Sequence, residues 1–144
     1  MTRAIAIVLS GTVYHWVYTT LVGIAASVPA PRWFVPLLQE HQTLGLTLMS
    51  FVTTVPAAAI SAAIVGFALS RFLTDRFVLG GFLSVCVMVF VTTMLTDYGR
   101  GVWNDLWQLL VPQHVSAVPM ALALWVFLPV ATDYFGRRKA VVSD

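Results

Sequence analysis

The sequence predicts an all-α fold, a polytopic transmembrane four-helix bundle, and three observations carry that expectation. Only 10% of the residues are charged and 59% are hydrophobic, whereas a soluble domain carries about a quarter charged residues. Mean hydropathy is +0.87. Four apolar runs, roughly 4–28, 44–70, 77–96 and 115–135, reach the length of about 20 residues that crosses a hydrocarbon core as a helix. These runs use most of the chain, so residues 1–144 are expected to form a single membrane domain.

The first run is read as an anchor and not as a cleaved signal, because it exceeds the typical apolar core of about 7–15 residues in a signal peptide. Within it SGTVYHWVYTT (Ser10 to Thr20) places His15 at the depth of a bilayer centre. A polar group there is costly and usually faces protein or water. The second run carries Thr47, Ser50, Thr54, Ala57 and Ser61 at three- and four-residue steps, and beside them Ala58, Ala62, Gly66 and Ser70 at fours. Lipid tails are as apolar as leucine, so membrane helices associate through close backbone approach and interhelical hydrogen bonds. This stripe of Thr47, Ser50, Thr54, Ala58, Ser61, Ala62 and Gly66 is therefore a helix-packing face, and the second helix should be central. Pro56 interrupts it, removing a bond to the Val52 carbonyl, and is read as a static kink.

The third run repeats the small or polar pattern with Gly81, Ser84, Met88, Thr92 and Thr96. The fourth contains Pro119 near its start and Pro129 nearer its end, then closes on DYFGRRK, where Asp133 is expected to pair with the basic cluster.

Orientation follows from the basic residues. Arg3, Arg71, Arg76, Arg137, Arg138 and Lys139 fall on one side, and only Arg32 and Arg100 on the other. Cytoplasmic loops are richer in Lys and Arg, so both termini are expected inside, the expected location being a bacterial inner membrane. The two outer loops are aromatic. Trp33 and Phe34 stand in a proline-rich segment, residues 29–43. Residues 101–114 read as a short interfacial amphipathic helix with Trp103, Leu106, Trp107 and Leu110 on one face.

Several functions are excluded. Cys86 is the single cysteine, which rules out an internal disulfide or thiol relay. The pI of about 9.0 comes from few basic residues placed at span ends, so no nucleic-acid partner is expected. No Asp, Glu, Lys or Arg lies inside a run, which disfavours proton- and cation-coupled transport. There is no nucleotide loop and no nucleophile with a base, which argues against an enzyme.

His15 shares a helix face with Gly11, Thr12, Tyr18 and Thr19, and this is the candidate intramembrane polar site. The bland reading is a neutral histidine bonded to a Thr or Ser of the second or third helix. The sharper ones are a haem or metal ligand, a quinone partner or a proton relay. Haem held by two histidines would need a second at the same depth, and His41 and His114 belong to the outer loops. With Glu40, Asp97 and Asp105 these two show no metal-ligand spacing, so no metal site and no cofactor are expected. The function expected from these features is that of an accessory or assembly subunit, packing against other membrane helices or its own copies. The alternatives are a quinone-, haem- or lipid-binding protein using His15 and the outer loops, and a small uncoupled channel or carrier.

Overall fold

Long runs of Leu, Val, Ile, Ala and Phe broken by few prolines form helices that satisfy every backbone group internally, the requirement of an apolar surrounding. The computed structural model describes residues 2–96 and 118–143, and all regular structure among them is helical. The helices are α1 (Thr2–Ser27), α2 (Phe34–Glu40), α3 (Gln42–Phe72), α4 (Phe77–Thr96) and α5 (Val118–Ser143). Two of them, α1 and α3, are long and apolar enough to cross a membrane, and the apolar part of α4, Phe77–Thr92, is shorter.

Two boundaries differ from the sequence reading. The proline-rich loop contains α2, which places Pro36 in the first turn, where its missing N–H costs nothing. The last helix runs on through Arg137, Arg138 and Lys139 to Ser143. A basic cluster ends an apolar run, but these residues are good helix formers and do not end a helix. Pro56 is accommodated inside α3, which continues unbroken on both sides of it.

The four long helices pack side by side, α1 against α3 and α4, and α5 against α3 and α4. The consecutive helices α3 and α4, joined by a four-residue turn, touch little and stand across the group from each other. In consequence two neighbouring pairs run parallel. In the first, Gly11 of α1 meets Ser84 and Val87 of α4; in the second, Gly66 of α3 meets Ala131 and Thr132 of α5. The pairs α1–α3 and α4–α5 run antiparallel; in the latter Gly81 lies against Pro129, and the Phe82 and Trp125 rings are 5.2 Å apart.

The parallel and antiparallel contacts are tight for the same reason. A methyl group placed on Gly11 would stand 2.5 Å from the Ser84 carbonyl oxygen, and one on Gly81 would stand 2.6 Å from Pro129 Cα. Backbone faces backbone at Gly81, and Gly11 faces the Ser84 backbone and the Val87 side chain. The core around them is Tyr14, Tyr18, Ala57, Ala58, Ala62, Val65, Val85, Met88, Val89, Ala123, Leu124 and Leu128. Large apolar side chains such as Val13, Trp16, Ile60, Ile64, Phe82, Phe90 and Val130 lie on the outside instead.

One end of the bundle is tied by charge. Arg3 bonds Asp75 at 2.8 Å and also reaches Thr74 in the α3–α4 turn. From α5, the Lys139 ammonium donates to the Arg71 carbonyl at 3.2 Å, a favourable cation at a helix C-terminus. Asp133 pairs with Arg137 at 2.8 Å, one turn on. Arg76, with φ 50°, gives the turn its left-handed residue.

Candidate functional site

The sequence singles out the surroundings of His15, and α1 and α4 build them. Gly11, Tyr14, His15 and Tyr18 are the buried residues of this half of α1. Because Gly11 lets α4 approach, the ring one turn later meets that helix directly: His15 Nδ1 lies 2.8 Å from the Thr92 hydroxyl oxygen. Thr92 donates its own proton to the Met88 carbonyl at 2.8 Å. With the Thr92 proton directed at Met88, the Thr92 oxygen accepts from His15 through Nδ1–H.

The remaining members of the predicted face divide. Thr12 is half-buried and donates to Val8 O at 3.0 Å. Thr19 is exposed and donates to His15 O at 2.8 Å. Both hydroxyls thus turn back onto their own helix, a common arrangement for Thr in helices. Tyr18 is buried at 4% exposure beside Tyr14, ring centroids 6.4 Å apart.

Tyr14 is the residue that sequence reasoning passed over. It is fully buried, and its hydroxyl finds no hydrogen-bond partner among the described residues. The signal was present in its spacing, three residues after Gly11 and four before Tyr18, but an aromatic ring in an apolar run reads as core. A buried hydroxyl without a partner costs about 1–3 kcal/mol.

The packing stripe of α3 is placed in part. Ala57, Ala58, Ser61, Ala62, Gly66 and Ser70 are buried, while Thr47 and Thr54 are half-buried. Ser61 donates to the Ala57 carbonyl at 2.6 Å, and Thr132 of α5 donates to Leu128 at 2.8 Å. Thr53 satisfies Met49 O at 2.7 Å in the turn before Pro56. The side chain of Ser50 lies outside the described residues. Across the helices, Ser84 shares its proton between Gly80 O at 3.0 Å in its own helix and Ile7 O at 3.2 Å in α1.

At the opposite end from the basic cluster, Trp33 is 68% exposed, while Phe34 is buried and meets it edge-on at 5.7 Å. Glu40 and His41 line a shallow depression at the junction of α2 and α3. Among the described residues no group of three His, Cys, Asp or Glu stands close enough together to hold a metal ion. Trp103, Trp107 and His114, with Asp97, Arg100 and the expected amphipathic helix, lie outside the described residues.

No family model, no curated protein and no solved structure matches this chain. Among the described residues the structure is all-helical, with two helices long and apolar enough to cross a membrane.

The His15–Thr92 bond gives a testable expectation. Its replacement by Gln keeps an amide donor for Thr92, so His15→Gln is expected to be tolerated, and His15→Leu to lose about 0.6 kcal/mol, the average worth of an interhelical hydrogen bond in a membrane. Thermal stability in detergent and the visible spectrum of both variants check this. Equal functional loss in Gln and Leu with the fold intact would make the imidazole itself the site.

Proposed function

We propose that the chain is a four-span integral membrane protein with both termini cytoplasmic, acting as an accessory subunit that packs against other membrane helices or against copies of itself. The observation that carries the reading is the distribution of polarity. Ser61, Ser70, Ser84, Thr132 and His15 are buried, whereas Val13, Trp16, Ile60, Ile64, Phe82, Phe90, Val126 and Val130 face outward from all four long helices. Contiguous apolar surface of this kind marks a face that meets lipid or another protein. Against lipid tails or other apolar helices it costs nothing, and the association of the bundle rests on small residues and internal hydrogen bonds.

The orientation is supported by the end that Arg3, Arg71, Arg76 and Lys139 share through the Asp75, Thr74 and Arg71 contacts. Arg32 is the single basic residue of the described chain at the other end. A reporter fused after Asp144 is expected to read cytoplasmic and one inserted between Pro36 and Gln42 to read outside. An external C-terminal reporter would reject the orientation. Purification in mild detergent with identification of bound proteins tests the subunit role, which a solitary monomer would refute.

A further inference from the structure

Away from His15, the end of the bundle that carries Arg32 holds a cavity of about 380 Å³ between the last turn of α1, the loop 28–33, α2 and the first half of α3. That volume lies within the roughly 300–1,000 Å³ of small-molecule sites. Its walls include Ala25, Trp33, Phe34, Met49, Val52 and Thr53.

The walls offer almost nothing to a polar ligand. Pro29 and Pro31 have no N–H to give. Thr53 spends its proton on Met49 O, and the Ala25 carbonyl already accepts from Val28 N at 3.3 Å. Arg32 is exposed and stands in the chain between the lining residues Pro31 and Trp33, and the Trp33 ring is mostly open. Tryptophan and arginine adjacent in the chain at the end of an apolar helix are residue types enriched at headgroup depth. An apolar slot whose lining loop also carries an exposed cation suits an apolar chain that ends in an anion.

We infer that this cavity is a binding site for one acyl chain of a phospholipid of the outer leaflet, its phosphate held at the rim by Arg32. The inference rests on the membrane reading proposed above. Recognition is by shape and length within the slot and by charge at its mouth. The lipid seals the junction of α1, α2 and α3.

The full chain can be tested with two single-tryptophan forms, one keeping Trp33 and one keeping Trp16, which is 59% exposed on α1. Each is reconstituted in phosphatidylcholine vesicles containing a minor fraction of dibrominated phosphatidylglycerol, whose bromines quench indole on contact. Trp16 should follow the bulk lipid fraction, whereas Trp33 should saturate at a low fraction. Val52→Phe fills the slot and should weaken the Trp33 response about tenfold, the loss of a few buried methylenes. Unchanged Trp16 quenching in that variant reports an intact fold. Arg32→Gln should abolish the preference for the brominated phospholipid over the matching brominated diacylglycerol. Quenching of Trp33 that merely parallels Trp16, in protein that floats with the vesicles, overturns the lipid site and leaves the membrane reading standing. Protein that fails to float overturns both.

Discussion

Gly81→Leu is expected to destabilise the protein by about 1–3 kcal/mol or more, the range of an overfilled core contact, and Gly11→Leu to do the same. At Gly81 the first added carbon already falls 2.6 Å from Pro129 Cα and 3.1 Å from Leu128 O; at Gly11 it falls 2.5 Å from Ser84 O. These neighbours are backbone and cannot swing aside, and at Gly11 Val87 Cβ, fixed to its own backbone, stands equally close at 2.6 Å. The two helices must separate, and Leu128, Val85 and Met88 in the surrounding core lose contacts with them. Gly23 supplies the control, because a methyl there meets nothing within 4 Å. Gly23→Leu should leave the thermal midpoint in detergent unchanged or slightly raised, given the better helix propensity of leucine. Equal effects at all three glycines would mean that helix contacts are not what these positions decide.

Tyr14 gives the second large effect. Its ring is wholly buried in the core, so Tyr14→Ala should cost about 3–5 kcal/mol, as large aromatic truncations do. Tyr14→Phe should act in the opposite direction. It removes a hydroxyl that has no partner among the described residues and keeps the ring. A gain of up to about 1–3 kcal/mol is expected, the desolvation cost of an unpaired group. Denaturant or thermal unfolding of the two variants beside the parent measures this. Loss of stability in Phe would mean that the hydroxyl is held by a partner or ligand.

How far these features were legible in the sequence depends on what each residue signals. The start of α4 at Phe77 was legible because Arg76 stands before an uninterrupted apolar run. The small residues of α3 announced a close contact, since Ala58, Ala62 and Gly66 have no other reason to recur. They did not say with which helix. That Gly66 meets α5 in parallel, and that α4 stands across from α3, depends on how four apolar surfaces share their grooves, and no periodicity in one helix encodes it. Helix α2 was hidden by its own composition, three prolines in eight residues (29–36) reading as loop until Pro36 falls in a first turn. At His15 the sequence identified a polar group needing a partner on another helix. It grouped Thr19 with that need, although a threonine can satisfy itself on the carbonyl four residues back, and it overlooked Tyr14, whose single polar atom sits on a largely apolar body.

The separation of α3 from α4 makes the turn between them a tether and not a packed corner. The turn 73–76 joins two helices that hardly touch, so closing it gains almost no contact surface and chiefly keeps two antiparallel hairpins, α1–α3 and α4–α5, near one another. Each hairpin can form from its own stretch of chain, whereas the parallel seams, Gly11 on Ser84 and Gly66 on Ala131, join residues far apart in sequence. The chain is thus a tethered pair of hairpins, and the exposed Arg3–Asp75 pair ties the start of α1 to the tether between them.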